Sequence, residues 1–403
     1  MSAKILAPVC DGRLNFRLNR VLRVERLKVD GRTVETLDGD TSSTATQRVY
    51  TVPCPTRQVE VDYAGEGVLT KDGRNQISPE LVELSVYGAW YPLLEGKLYY
   101  RVALELDEKF VVAANGTLVK ERAGQGIARY SLRSEQPVSD IALVASPAFV
   151  RLLPAKATRF EALARSTLPQ RSLAHARDAA DAVERAAALY REWFGDTEVP
   201  VRASVAFSPR PGPLSYARLP LIVVPEAELA NSTAQGYPYL PWLMGHEVGH
   251  FWWSYAEYTP ADDWLNEGLA EYSAAQFVRE VYGPDAYTAL LKSYRQATAQ
   301  AGESPAIVET PSDSSWIYAN RYAKPALLLD TIERSVGTPR LRAFLAALNR
   351  RGASQRRLSR ADFNETARTV FDRSNAERLA GCLTVRGWPA ECGGQPRTAE
   401  LSR

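Results

Sequence analysis

A chain of 403 residues is long for one hydrophobic core, so two domains are expected. Apolar residues make up 45% and charged residues 24%, an ordinary globular profile, and the formal net charge of +2 comes without a long basic run. Charge therefore gives no reason to expect a nucleic-acid partner, and no apolar run approaches the roughly 20 residues that a membrane span requires.

The first elements in chain order read as strands. "LNFRLNRVLRVERLKVDG", "QVEVDYAGEG", "LVELSVYGAWYP", "LYYRVALELD" and "FVVAANGTLVKE" are rich in Val, Leu and Tyr, and "DIALVASPAF" closes the series. Turn dipeptides punctuate them: Asp30-Gly31 and Asn115-Gly116, the latter read as a hairpin. The character then changes. "SLAHARDAADAVERAAALYREWFG" has Ala, Leu and charged residues at helical spacing, with Gly195 as its stop; its His175 is given no role. Two short strands follow, "VRASVAF" and "LPLIVV", and helical patterns dominate from Pro241 onward. The Arg-rich "NRRGASQRRLSR" reads as a solvated loop between helices. The expected class is α+β: an all-β domain over 1–160, then a mainly helical domain with a small sheet over 161–403, ending in a short tail.

"MSAKILAPVC" has no apolar core long enough for a signal peptide, so the chain is read as cytosolic or as one whose leader was removed. The cysteines lean toward the second, extracytoplasmic setting. Cys10 with Cys54 and Cys382 with Cys392 form two regional pairs that fit two disulfides; four buried thiols are the plainer alternative.

The chemistry concentrates in "GHEVGHFWW". Two of only three histidines, His246 and His250, stand four apart, on one face of a helix, at the spacing a tetrahedral Zn²⁺ accepts. Glu247 falls on the adjacent flank, where it reaches a water as general base rather than serving as a ligand. The third ligand for a single ion is sought in "WLNEGLAEY", on a second helix: Glu267 is preferred. Glu271, one turn on, is its rival or an acceptor that orients a histidine N–H.

These stretches resemble the gluzincin zinc aminopeptidases of the aminopeptidase N type. "HEVGHFWW" and "WLNEGLAEY" are similar to that family's H-E-x-x-H and N-E-G-x-A-x-Y motifs, and "WYPLLEGKLYYRVALELDEKFVVAANGTLV" to its saddle-shaped β domain. "LYREWFGD", "YAKPALLLDTIERSVG" and "LTVRGWP" extend the likeness to roughly residues 80 to 390. The resemblance implies a β saddle before a thermolysin-like domain, one zinc on His246, His250 and Glu267, and a peptide or protein substrate. It also implies that Tyr322 stabilises the oxyanion, with Tyr318 in reserve.

Departures from the family pattern bear on substrate. The loop between the second His and Glu267 is slightly shorter, and Pro325 replaces a glycine, which a helix start tolerates. In "GPLSYARLPLIVVPE", Ser215 stands where the family's amine-binding glutamate belongs; Glu226 lies at the far end of the strand and Arg218 has the wrong sign. A free N-terminus thus lacks its anchor. The chain is also read as a short form, without the family's C-terminal helical domain. The expectation is a zinc-dependent metallopeptidase, exo- or endo-acting, of unknown oligomeric state. The rival readings are a zinc-binding scaffold without catalysis and a hydrolase of a non-peptide. Trp252, Trp253 and Trp264 are read as pocket walls or as helix-packing aromatics, and the stretch 212–224 as an edge onto which an extended peptide adds.

Overall fold

The computed structural model describes residues 1–6, 12–34, 46–53, 57–94, 96–122, 125–153, 160–197, 203–230, 236–299 and 304–394. Cys10 and Cys54 lie outside them. Two compact units emerge. The first is Met1–Leu152 with Ala162–Leu173 and Ser204–Ala227; the second is Leu153–Glu161, Ala174–Ala203 and Glu228–Arg403. The first unit takes in segments beyond residue 160 because their strands complete a sheet begun by Phe149–Leu152.

Sheets build the first unit. Alternation makes them: Arg13–Asn19, Arg101–Asp107 and Ile127–Arg133 each bury every second side chain to a greater degree than its neighbours, the period of a pleated strand with one face on a core. That core gathers Phe16, Leu18, Tyr50, Trp90, Val112 and Leu132. Asp30-Gly31 closes the hairpin of Arg23–Val29 with Arg32–Thr33, both residues taking the positive φ that such a two-residue turn demands. Asn115-Gly116 does something different from the expected hairpin. The strands it joins belong to separate sheets: Val111–Ala114 pairs with Leu143–Ser146, and Thr117–Arg122 pairs with Ile127–Arg133. Gly116 has φ +93°, and a Cβ there would stand 2.4 Å from the Arg133 carbonyl oxygen. The dipeptide therefore turns the chain from one sheet into another, and the Asn115 side chain stitches the crossing through Ala142 N–H and Asp140 C=O.

A five-stranded sheet orders Phe149–Leu152, Phe160–Arg165, Ala203–Ser208, Leu221–Pro225 and Tyr216–Arg218, so the last of these is its edge. Leu221–Pro225 is buried at every residue, a continuous apolar run suited to a central strand.

The helices are α1 (Gln170–Phe194), α2 (Tyr239–Gly249), α3 (Trp264–Tyr282), α4 (Pro284–Ala299), α5 (Lys324–Val336), α6 (Thr338–Gln355), α7 (Arg360–Val370) and α8 (Arg373–Thr384). Local signals set their ends. Gly195, Gly283 and Gly337 follow α1, α3 and α5 with positive φ. Ser359 and Asp362 form a capping box on α7. The stretch "NRRGASQRRLSR" is not a loop throughout: α6 runs on to Gln355, where Gly352 packs on Tyr255 and Arg351 pairs with Asp362 and Glu365. Only Arg356 to Ser359 separates α6 from α7. Cys382 and Cys392 are joined by a disulfide that ties the end of α8 to the following turn.

Candidate metal centre

Small residues bring α2 and α3 into close contact. A Cβ on Gly249 would stand 2.9 Å from Ala270 Cα, and one on Gly245 would stand 3.0 Å from Phe277 Cδ1 and 3.1 Å from the Tyr190 hydroxyl. Any larger residue at these positions would push the helices apart. The loop between them is fixed by Asn266, whose side chain accepts from the Ala256 N–H and donates to the Ala256 carbonyl.

This approach places His246, His250 and Glu267 together, with one donor atom from each within 4.8 Å of the others. Nε2 of His246 and Nε2 of His250 each lie 3.4 Å from the same oxygen, Oε2 of Glu267. That separation is longer than a charge-assisted hydrogen bond. It matches the edge of a tetrahedron: ligands about 2.1 Å from one ion and 109° apart are about 3.4 Å from each other. Two imidazoles and a carboxylate are also the donor types that zinc takes, so the residues fit the ion.

Each imidazole is oriented from behind. His246 Nδ1 lies 2.8 Å from Glu271 Oε2, and His250 Nδ1 lies 3.3 Å from the Trp253 carbonyl oxygen. An N–H donated at Nδ1 leaves the Nε2 lone pair facing Glu267. Glu271 thus stands behind His246 rather than beside the cluster. The electrostatics draw positive charge. Burial lowers the pKa of His246, but Glu267, Glu271 and Glu247 outweigh it and push the ring well above its ordinary value. Burial would raise Glu267, but the imidazoles of His250 and His246 hold it well below the carboxylate range. Glu247 is buried on the same helix.

Tyr322 sits against His246, ring stacked on ring with centroids 5.7 Å apart. Tyr318 stacks on Tyr322 at 5.6 Å and is more exposed. Tyr322 lies within a π-helical turn, Ala319–Ala323, that leads into α5, with Pro325 in the first turn of that helix. A Cβ on Gly268 would stand 2.4 Å from Pro325 Cβ, so this glycine lets the π-turn sit on α3 directly after Glu267. Sequence reasoning missed Gly245, Gly249, Gly268 and Asn266 as builders of the site; the G-x-x-x-G spacing inside "GHEVGH" was the available signal.

Other expectations resolve differently. Trp252, Trp253 and Trp264 are not pocket walls: all three are fully buried, with their indole N–H groups bonded to Gly195 C=O, Ser273 Oγ and Ala261 C=O. His175 donates from Nδ1 to the Leu229 carbonyl oxygen, 2.7 Å away. In the first unit, Ser215 precedes the edge strand, Arg218 is paired at 2.7 Å with buried Asp140, and Glu226 is paired with Arg165. The charges of Arg218 and Glu226 are therefore already balanced within that unit.

No family model and no curated protein matches the chain. Solved structures do share its fold. An M1 zinc metallopeptidase of Deinococcus radiodurans, as a point variant bound to a Tyr-Ser-Ala substrate, aligns with a TM-score of 0.70 at 17% identity, over 96% of this chain and 90% of that one. The same metallopeptidase without the substitution gives 0.69 at 16%, over 98% and 91%. Legionella pneumophila aminopeptidase A in complex with aspartic acid gives 0.70 at 16%; there the alignment spans 94% of this chain and 46% of that one. The α+β arrangement of β sheets followed by a helical region is thus the fold of these two-domain metallopeptidases.

Proposed function

We propose that the protein is a zinc-dependent metallopeptidase. The observation that carries this reading is the pair of imidazole Nε2 atoms, each 3.4 Å from one oxygen of Glu267, with His246 on the helix that carries Glu247 and His250 at its C-cap. His246, His250 and Glu267 would hold one zinc ion. Bound there, zinc supplies Lewis acidity, polarising a carbonyl and acidifying a water.

The chain's own residues do the rest. Glu247 takes the proton of the attacking water and delivers it to the leaving amine. Tyr322 donates its phenol hydrogen to the oxygen on which negative charge develops; burial and the neighbouring Glu267 hold that phenol well above its ordinary pKa, so it remains protonated. Glu271 keeps His246 in one tautomer. The fold likeness to a metallopeptidase bound to Tyr-Ser-Ala supports peptides as the substrate class. The Cys382–Cys392 bond supports an oxidising, extracytoplasmic setting.

Two comparisons test the reading. Glu247→Gln keeps its zinc and loses turnover of a mixed peptide pool; parental turnover in that variant removes Glu247 as the base. Matched free and N-acetylated pools, with and without chelator, separate an exopeptidase from an endopeptidase. A zinc-loaded protein that cleaves neither pool is a scaffold or acts on a non-peptide.

A further inference from the structure

The π-turn that carries Tyr322 is held by buried polar side chains on both sides of that residue. Asn320 donates to the Pro305 carbonyl at 3.0 Å and to Thr310 Oγ1 at 2.8 Å, and it accepts from Ser304 Oγ. Lys324 donates to Ser304 Oγ and, at 2.9 Å, to the Gly387 carbonyl. Between them, Arg321 forms an ion pair with Asp263 through Nη1, while its Nη2 donates at 3.2 Å to the Thr310 carbonyl and to Ser312 Oγ. Asn320, Arg321 and Lys324 are all buried, as is Asp263. These four side chains lie outside the set of groups that the proposed reaction uses.

Asp263 explains why the Arg321 contact matters. It immediately precedes α3 and lies one helical turn before Glu267. The guanidinium therefore joins the segment that carries Tyr322 to the helix start that carries Glu267. We propose that Arg321 and Asp263 are positioning residues, a clamp that fixes the Tyr322 phenol relative to the Glu267 carboxylate and so aligns it with the developing oxyanion. A planar fork with several fixed donors suits this task, because it locks orientation as well as distance, and a lysine supplies only a point charge. The inference rests on the role given to Tyr322 above.

Arg321→Lys and Asp263→Asn in the full chain test the clamp. With zinc content and KM near parental, kcat should fall about 10- to 100-fold, the scale of a misplacement near 1 Å. In a Tyr322→Phe background the same substitutions should alter kcat by less than about twofold, because the group through which they act is gone. Full, multiplicative losses in the double variants would overturn the clamp, as a general structural role predicts them. A second measurement needs no turnover. With 3-fluorotyrosine at position 322, the ¹⁹F resonance should shift or broaden in Arg321→Lys; an unchanged resonance overturns the clamp. A perturbed resonance in a protein that cleaves no peptide leaves the clamp standing and removes the peptidase reading instead. Should Arg321→Lys not fold, Asp263→Asn carries the same comparison.

Discussion

Gly268 and Gly381 offer a pair of substitutions for which helix propensity and packing disagree. Both lie inside helices, α3 and α8, and alanine in a helix interior is favoured over glycine by about 0.5–1 kcal/mol. Propensity alone therefore predicts that Gly→Ala stabilises at both sites. At Gly381 nothing lies within 4 Å of an added Cβ, and the residue is exposed, so the gain should be realised. At Gly268 the Cβ would lie 2.4 Å from Pro325 Cβ, 2.8 Å from Pro325 Cγ and 3.0 Å from the Arg321 carbonyl oxygen. Carbon atoms settle at about 3.5–4.0 Å, so relief of about an ångström is required. A proline ring and a carbonyl are part of the backbone and cannot swing aside. The start of α5 has to move as a body, taking the π-turn with it. Overpacking of this kind costs about 1–3 kcal/mol, which exceeds the propensity gain. Thermal unfolding should then show Gly381→Ala shifted up by about 1–4 °C and Gly268→Ala shifted down by about 2–8 °C. Turnover should fall by as much as about 100-fold in Gly268→Ala, since the displacement falls between Glu267 and Tyr322. A rise in Tm for both variants, with parental turnover, would refute the steric account of this helix contact.

Further outcomes follow from the site. Glu267→Ala should lose most of its zinc by elemental analysis of the dialysed protein; full occupancy would transfer the ligand role to Glu271 or elsewhere. Tyr322→Phe should lower kcat by about 10²–10³-fold, as removal of an oxyanion donor does, whereas Tyr318→Phe should leave it within about twofold. Equal losses would make the stacked pair act jointly. Lys324 gives a pH test. Burial lowers its pKa from 10.5 to about 8, so between these values the unfolded chain binds the proton that the folded chain has released. Its contribution to stability therefore rises with pH from about 8 toward 10.5. Urea unfolding across that window should show a steeper upward slope for the parent than for Lys324→Met; parallel slopes would place the lysine's titration elsewhere.

Much of the fold was legible because it is written in local periods. Arg101–Asp107 and Ile127–Arg133 alternate as strands, and Gly195, Gly283 and Gly337 stop helices with the one residue that accepts their φ at no steric cost. Such signals act within a few residues. What was not legible depended on distant partners. Asn115-Gly116 has the composition of a hairpin, but composition does not say which strand each neighbour pairs with, and the two neighbours pair in different sheets. The Arg-rich stretch after Leu348 reads as solvated until Asp362 and Glu365 are seen to receive Arg351. The tryptophans beside the histidines invite a pocket, and only the positions of Gly195, Ser273 and Ala261 show that their indoles close the core. The π-turn is the least legible element. Arg321 and Lys324 hold it through buried partners far along the chain, Asp263 and Gly387, which no window of local sequence contains.

The candidate metal centre is an intermediate case, and the reason lies in a shared period. A helix that directs two histidines at one point needs them four residues apart, and whatever precedes each of them also recurs every four. Here those preceding residues are Gly245 and Gly249, about 100° round the helix from the histidines. The side-chain-free stripe meets α3, where Ala270 and Ala274 offer a second small stripe, and Glu267 and Glu271 recur every four beside it. The two stripes govern how near the helices come; the His and Glu rows beside them govern what meets at that distance. With larger residues in the stripes, the same His and Glu rows would face one another too far apart to share an ion. Counting histidines finds the proposed chemistry, but the glycines and alanines beside them set the 3.4 Å spacing on which it depends.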